Sequence, residues 1–255
     1  MKKLFQRFRR IKLPIAILEI LLGLRAILFA GSKYICPCCG WRLRAFTSGG
    51  TSLKERELSY CPRCNSKARH RRIWLFLEEH TNLFTDSLRL FEVAPKFSFA
   101  RRFRKMSNLT YVTGGLQKHQ ENMLRMDLTS MPVSFNSFDA LICVHVLEEI
   151  TRDGLAMSEM FRVLKPGGWA MVTVPTNMGE ATYEDSSIVA SQDRKRAFGE
   201  PAHVRVYGYD LADRLRSSGF TVTVDLAEDV PLQKRARYGL RADENIFFCR
   251  KLTEL

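Results

Sequence analysis

Residues 126–175 constrain the fold of this chain more than any other stretch. Residues 138–146 are mostly apolar with little alternation, a pattern typical of a strand that is buried on both faces. A helical segment follows at 152–164, and residues 169–174 predict a second buried strand. The Lys-Pro-Gly-Gly sequence at 165–168 is predicted to end the helix, because proline cannot continue a helix and glycine accepts left-handed dihedrals. Strand, helix and strand in this order predict a right-handed parallel crossover.

A ligand site is predicted at one edge of this crossover. Ligands of doubly wound sheets bind in the crevice beyond the carboxyl ends of the strands. The pattern therefore places Asp127, His145 and the loop after Val174 near one crevice. The long polar segment at 176–199 predicts a lid or a binding segment beside it.

The same stretch resembles class I S-adenosylmethionine-dependent methyltransferases of the methyltransferase type 11-like kind. The residues that match the family pattern are Asp127, Met131-Pro132, Ser137-Phe138-Asp139, His145-Val146-Leu147-Glu148 and Arg162-Val163-Leu164-Lys165-Pro166-Gly167-Gly168. The resemblance implies an α/β fold with a Rossmann-like, seven-stranded sheet. It also implies that strands at 220–225 and 245–250 close this sheet as an antiparallel pair.

The resemblance further implies S-adenosylmethionine as cofactor and a set of residues that would contact it. In the family, the loop after the first strand, the residues after the third strand and the end of the fourth strand line the cofactor site. The corresponding residues here are Glu92, Ala94, Pro95, Lys96, Asp127, Leu128 and His145.

Two positions depart from the family pattern. The cofactor loop usually carries three glycines, which let the backbone approach the cofactor, but here it contains Ala94 and Pro95 instead. The acidic residue that usually binds the ribose after the second strand is replaced by Gly114-Gly115, and Glu121 is a nearby candidate substitute. We therefore expect weaker cofactor binding than in a domain with the full glycine loop. A non-catalytic binding module that retains the fold is the alternative interpretation.

Three residues are candidates for acid–base chemistry. Methyl transfer from a sulfonium depends mainly on alignment, and a base is needed only when the acceptor must lose a proton. His203, Tyr207 and Glu184 are the catalytic candidates, all in the segment after the fifth strand. His203 and Tyr207 lie in the sequence H-V-R-V-Y-G, which the chain shares with a set of zinc-ribbon-bearing methyltransferase-like sequences. His203 can equally be a histidine that packs a loop, so both interpretations remain open.

Cysteine spacing predicts a metal site. Five of the seven cysteines lie between residues 36 and 64, as two C-x-x-C motifs with an additional Cys38. The pairs Cys36/Cys39 and Cys61/Cys64 are each followed by a residue that tolerates the knuckle turn, Gly or Asn. Four such thiolates are typical of a closed structural Zn²⁺ site. A redox C-x-x-C is the alternative, and two copies in tandem favour zinc.

The first 32 residues form a basic and apolar leader. Residues 1–12 contain six Lys or Arg, and 13–30 are apolar apart from Glu19, Gly23 and Arg25. The insertion free energy of the apolar side chains, about −5 kcal/mol, is offset by roughly 5–7 kcal/mol for Glu19 and Arg25. We expect a helix over 1–31 that does not span a bilayer. It either packs on the catalytic domain or lies on a membrane surface.

These features define three predicted segments and several partners. The predicted segments are a leader helix at 1–32, a zinc ribbon at 33–68 and a methyltransferase domain at 69–255. A net charge of +13 favours a polyanionic partner or an anionic membrane surface. RNA is one candidate acceptor, because the layout is similar to that of ribosomal RNA guanine methyltransferases, and a lipid, glycan or other small-molecule precursor is another. The clustered cysteines indicate a reducing, cytoplasmic location, with membrane association through the leader.

Overall fold

The computed structural model describes residues 15–47, 60–116, 123–177, 179 and 181–253. The helices are α1 Ile15–Leu28, α2 Ala68–His80, α3 Phe97–Phe103, α4 Asp153–Val163, α5 Ser191–Phe198, α6 Leu211–Ser217 and α7 Leu232–Tyr238. The strands are β1 Ala30–Ile35, β2 Arg42–Leu43, β3 Leu88–Val93, β4 Leu109–Gly115, β5 Met123–Arg125, β6 Phe138–Val144, β7 Leu164–Thr173, β8 Tyr183–Glu184, β9 Arg205–Val206, β10 Thr221–Asp225 and β11 Ile246–Arg250.

The chain divides into two compact units. The ribbon unit contains Met1–Trp74 and Leu232–Leu240, and the sheet unit contains Leu75–Pro231 and Arg241–Leu255. The predicted division into leader, ribbon and catalytic domain stays a prediction.

The sheet unit is built on one seven-stranded sheet with the order β10-β11-β7-β6-β3-β4-β5. All neighbouring strands are parallel except β11, which runs antiparallel to both β7 and β10. The predicted Rossmann-like sheet and its antiparallel closing pair are therefore confirmed. The first strand of the sheet, β3, pairs with β4 on one side and β6 on the other, so the order of the strands reverses between β3 and β6.

The strands predicted to be buried are buried, with one difference at the start of β7. Apart from the half-buried Asp139, every residue of β6 is buried, and so is β7 from Trp169 onward. The Lys-Pro-Gly-Gly sequence was predicted to separate helix from strand, but β7 already begins at Leu164. A register shift opposite Asp139 accommodates the extra residues, and a Cβ at Gly168 would stand 2.8 Å from the Asp139 carbonyl oxygen. The glycine therefore permits a bulge inside the strand rather than a loop before it.

The segment predicted as a lid contains regular structure. Helix α5 occupies Ser191–Phe198 and ends at Gly199, which has a φ of 90°. Before it, β8 pairs with β9 as a short antiparallel ladder. Sequence periodicity missed α5, because Phe198 is its one buried residue.

The leader is helical where it is described. Helix α1 confirms that part of the prediction over Ile15–Leu28, and residues 1–14 lie outside the described residues. Among the helices of the described residues, none is both long enough and apolar enough to cross a bilayer.

Candidate active site and metal centre

Two adjacent strand ends define the candidate active site. The residues that follow β3 and β6, Ala94 and His145, have φ values of 45° and 51°. Residues other than glycine rarely adopt this left-handed conformation, and strain of this kind clusters at ligand sites. Both residues lie where the strand order reverses, which is the usual ligand crevice of such sheets.

Glu92, near the end of β3, is fully buried and braces the loop that follows. Its Oε1 accepts a hydrogen bond from the Lys96 N–H at 2.8 Å, and its Oε2 accepts one from the Tyr111 hydroxyl. Burial raises the pKa of Glu92 to about 7, although both hydrogen bonds favour the charged form. The predicted cofactor residue Glu92 therefore holds the loop in shape from beneath.

The loop after β3 uses its own backbone donors. The Ala94 N–H donates to the Gly114 carbonyl at 2.7 Å, and the Lys96 N–H donates to Glu92. Pro95, between them, has no N–H. The backbone N–H groups of residues 94–96 are thus bonded within the protein or missing, so a ligand at this loop must contact carbonyls and side chains.

Packing explains the first of the two glycines at the end of β4. A Cβ at Gly114 would stand 2.7 Å from the Phe91 ring and 2.8 Å from the Met126 sulfur. Contacts this short mean that Phe91 and Met126 would have to move for a larger side chain, so the present packing does not accommodate a ribose-binding carboxylate at position 114. The candidate substitute, Glu121, lies outside the described residues.

Asp127 and Leu128 follow β5 at the same edge of the sheet. Asp127 Oδ1 accepts hydrogen bonds from the Thr129 N–H and hydroxyl, both at 2.8 Å. These bonds lower the pKa of the exposed Asp127 carboxyl below its ordinary value. Leu128 is buried beside it. A charged carboxylate next to an apolar side chain suits the recognition of a polar aromatic ring.

Three buried side chains and one partly buried side chain form a histidine–glutamate cluster at the end of β6. They are His145, Glu148, His203 and Glu244, with exposed side-chain fractions of 14%, 1%, 11% and 9%. His145 Nε2 lies 2.8 Å from Glu244 Oε1, and His145 Nδ1 lies 3.3 Å from Glu148 Oε1. His203 Nε2 lies 3.9 Å from the same Glu148 oxygen.

Glu148 is the unusual member of the cluster. Among the described residues, neither of its carboxylate oxygens has a partner with good hydrogen-bond geometry. A buried carboxylate without such a partner is costly, and groups of this kind are found where chemistry or binding requires them. Glu148 belongs to the residues that match the methyltransferase family pattern, but the resemblance implies no role for it.

The segment containing His203 is fixed to the residues after β6 through Val204, Arg205 and Tyr207. The Val204 N–H donates to the Glu148 carbonyl at 2.9 Å. Arg205, nearly fully buried, donates to the carbonyls of residues 147, 150 and 151. The Tyr207 hydroxyl donates to Asp153 Oδ2 at 2.7 Å. The H-V-R-V-Y-G sequence is therefore the clamp that places His203 against Glu148.

Two of the three catalytic candidates are engaged in this clamp. Tyr207 is completely buried, and its pKa is raised by burial and by the nearby Asp153 charge. Glu184 accepts hydrogen bonds from Arg205 and Arg214; burial alone would raise its pKa, but these bonds lower it below the ordinary value. The geometry thus favours a structural role for both, and it brings His203 alone into the histidine–glutamate cluster.

Sequence reasoning missed Glu244. It precedes β11, which runs antiparallel to β7, so it reaches the edge where the parallel strands end. The sequence signal that could have identified Glu244 is its position as an acidic residue just before the last strand.

The four predicted metal ligands come together in the ribbon unit. The sulfurs of Cys36, Cys39, Cys61 and Cys64 all lie within 4.8 Å of one another. The distance from Cys36 to Cys64 is 3.6 Å, and that from Cys39 to Cys61 is 3.7 Å. Tetrahedral coordination at about 2.3 Å places sulfurs about 3.8 Å apart, so the four thiols fit one metal ion.

The knuckle turns follow the predicted pattern. Gly40 and Asn65, directly after each second cysteine, have φ values of 71° and 60°. The additional Cys38 is buried, and its sulfur lies 3.5 Å from the His70 carbonyl oxygen.

The first turns of α2 contain buried arginines. Arg71 is fully buried and Arg72 nearly so. Arg71 donates to the carbonyls of Ser66, Tyr238 and Gly239 at 2.6–3.0 Å and lies over the Phe46 ring. Helix α7 is therefore bound to the ribbon through a buried guanidinium.

Comparison with known proteins identifies the fold. A family model described as a methyltransferase domain matches residues 99–172. The chain is similar to an S-adenosylmethionine dependent methyltransferase from Mesorhizobium loti, with 16% identity and a TM-score of 0.51 over 69% of this chain and 96% of that one. No protein with a curated description matches it.

Two further solved structures share the architecture. One is Burkholderia thailandensis 1,6-didemethyltoxoflavin-N1-methyltransferase, solved with 1,6-didemethyltoxoflavin and S-adenosylhomocysteine; it has 15% identity and a TM-score of 0.52 over 73% of this chain and 79% of that one. The other is the [4+2]-cyclase SpnF, with 17% identity and a TM-score of 0.50 over 72% and 81%. At these identities the likenesses show the fold alone.

The buried Glu92 predicts a pH-dependent stability. Its folded pKa of about 7 is above the ordinary 4.5, so its contribution to stability is complete below pH 4.5 and is lost as the pH rises through 7. The loss amounts to about 3 kcal/mol. The free energy of unfolding, measured with urea between pH 4.5 and pH 7, should fall by this amount in wild type and in Glu200→Gln, an exposed control. It should fall by less in Glu92→Gln. Parallel pH profiles of wild type and Glu92→Gln would contradict the assignment.

The cysteine geometry predicts one bound metal ion per chain. Cys61→Ser removes one of four ligands, so elemental analysis of the purified variant should show that the ion is lost. Cys38→Ser alters a cysteine of similar burial outside the group and should keep it. Equal metal loss in both variants, or a metal-free wild type that is fully folded, would refute the site.

Proposed function

We propose that this chain, which carries a class I methyltransferase domain, binds S-adenosylmethionine and transfers its methyl group to an acceptor that loses a proton. The observation that carries the proposal is the crevice at the reversal of strand order. There, the left-handed residues Ala94 and His145 end neighbouring strands, and Asp127 lies at the same edge of the sheet.

Two residues after β5 support the proposal that the site binds the adenine end of the cofactor. The carboxylate of Asp127 stays ionised through its bonds to Thr129 and can accept from the exocyclic amine of adenine. Leu128 offers an apolar contact. The similar Burkholderia enzyme was solved with S-adenosylhomocysteine, the product form of this cofactor.

The cofactor loop explains why affinity should be reduced. The N–H groups of Ala94 and Lys96 are already bonded, and no carboxylate replaces Gly114. Each lost charge-assisted hydrogen bond costs roughly 1.5–3 kcal/mol, which is about ten- to a hundredfold in affinity. The fold therefore supports binding that is weaker than in a glycine-loop domain.

The histidine–glutamate cluster supplies the proton chemistry. His145 lies between two carboxylates: its Nε2 is hydrogen-bonded to Glu244 Oε1 at 2.8 Å, and its Nδ1 lies 3.3 Å from Glu148 Oε1. His203 Nδ1 lies 3.1 Å from the Phe198 carbonyl, which can only accept, so this nitrogen carries the hydrogen. His203 Nε2 is thus the atom that can take up a proton, and Glu148 stabilises the resulting charge.

The reaction follows from this arrangement. Asp127 and Leu128 would hold the cofactor, which would supply an electrophilic methyl group on a sulfonium to the acceptor atom. The acceptor's proton passes to His203 Nε2. RNA is one acceptor class that we propose, since the chain carries a net charge of +13. A lipid, glycan or other small-molecule precursor is the other, since the first 32 residues are basic and apolar.

We also assign Zn²⁺ to the four-thiol site, in a structural role. One Zn²⁺ with four thiolates carries a net charge of −2, which nearby cations must offset. Arg25 and Arg71 both interact electrostatically with these cysteines and supply two positive charges. A closed set of four protein ligands leaves no position for a substrate.

Calorimetry tests the cofactor proposal. Wild type should bind S-adenosylmethionine, and Asp127→Ala should weaken binding about tenfold, because it removes a hydrogen bond to a charged group. Asp193→Ala changes an exposed aspartate on α5 and should bind like wild type. If wild type shows no binding at about millimolar cofactor, the enzyme proposal falls and a non-catalytic binding module takes its place.

Transfer of a labelled methyl group tests the role of His203. Protein supplied with methyl-labelled cofactor and with either cellular RNA or a lipid extract should label one of the two pools. His203→Gln should lower the rate about 10²–10⁴-fold while cofactor affinity stays unchanged, because a general base contributes this much. Glu148→Gln, which keeps the side-chain shape, should also slow transfer. Full activity in His203→Gln would remove it from the mechanism.

A further inference from the structure

Helix α1 has two faces of opposite character. Leu22 and Ala26 are buried in the ribbon unit, with 6% and 0% exposure. Six large aliphatic residues at spacings of three and four are exposed, and we call them the aliphatic stripe: Ile17 (44%), Ile20 (63%), Leu21 (46%), Leu24 (59%), Ile27 (66%) and Leu28 (69%).

Polar contacts to the metal knuckle fix which face is exposed. Arg25 donates from Nε to the Pro62 carbonyl and from Nη2 to the Cys61 carbonyl, both at 3.0 Å. Trp41 Nε1 donates to the Ala26 carbonyl at 3.3 Å. Arg25 therefore lies on the face of α1 that contacts the metal knuckle, and these hydrogen bonds keep the aliphatic stripe on the opposite, exposed face.

An exposed stripe of this kind requires a partner. Single exposed aliphatic residues are ordinary on protein surfaces, whereas a contiguous row of six marks an interaction surface. The residues are aliphatic rather than aromatic, so stacking on nucleic-acid bases does not account for them.

Charge identifies the partner. Residues 1–32 contain seven Lys or Arg and one Glu, a net charge of +6, and six of these cations lie in residues 1–12, immediately before α1. A second copy of the chain would bring two such segments together against their mutual repulsion. An anionic lipid surface offers both negative charge for the basic segment and an apolar boundary for the stripe.

The dimensions of α1 agree with a surface position. Its 14 residues span about 21 Å, less than the roughly 30 Å of a bilayer core. An interfacial helix enters the headgroup and acyl boundary by about 5–10 Å, which is the depth of one helix face. We propose that α1 lies flat on an anionic membrane, with the aliphatic stripe in the lipid and the metal ribbon on the water side.

Vesicle sedimentation of the full chain tests this proposal. Wild type should sediment with phosphatidylglycerol-containing vesicles and much less with pure phosphatidylcholine, and high salt should weaken the binding. Ile20→Glu combined with Leu24→Glu places charges in the stripe and should lower the bound fraction about tenfold. Val189→Glu combined with Leu232→Glu is the matched control, because both residues are equally exposed aliphatics outside α1.

A second measurement reports the orientation of the helix. Tryptophan at position 20, introduced as Ile20→Trp, should show blue-shifted emission with anionic vesicles and quenching by brominated lipid. Metal content and circular dichroism should be unchanged in each variant, since the stripe makes no contribution to the buried core. Absence of vesicle binding by wild type, or equal binding by the stripe variant and its control, would overturn the proposal. A dimer that the stripe variant dissociates, without vesicle binding, would overturn it in favour of self-association.

Discussion

The parallel pairing of β3 with β6 is the constraint on which the sheet unit depends. Because β3 has β4 on its other side, the connections leave this point in opposite directions and open a crevice above the two strand ends. Burial on both faces keeps the two strands in one register, so the packing of the core fixes the positions of the residues that follow them. Ala94 and His145 then carry backbone strain that this support makes tolerable.

Much of this arrangement could be read from the sequence. The bounds of α4, β6 and β11 were predicted within two residues, since apolar runs and turn signals report burial directly. The site was harder to predict. Glu244 joins His145 across 99 positions of sequence, and no local pattern encodes such a contact. Arg71 has the spacing of a surface cation, and only the carbonyls that it meets at residues 238 and 239 reveal that it is buried.

The departures from the glycine-rich pattern acquire a physical explanation in the structure. Ala94 adopts the left-handed conformation that glycine would supply, and its N–H is used to bind the neighbouring strand at Gly114. Glu92 then holds the Lys96 N–H from below. The N–H groups of this loop are thus bonded within the protein, whereas a glycine loop keeps such groups available for its ligand. Polar character is instead concentrated at the end of β6, in the histidine–glutamate cluster.

The buried guanidinium of Arg71 has a consequence for how the chain can be divided. Two of its three carbonyl acceptors come from Tyr238 and Gly239, more than 160 positions away in sequence. A fragment that ends after α2 would retain every metal ligand and still leave this cation buried without two of its three carbonyl acceptors. The unit that holds the metal ligands is thus discontinuous in sequence. An insertion or truncation near residue 235 would therefore destabilise the fold around cysteines encoded almost two hundred codons earlier.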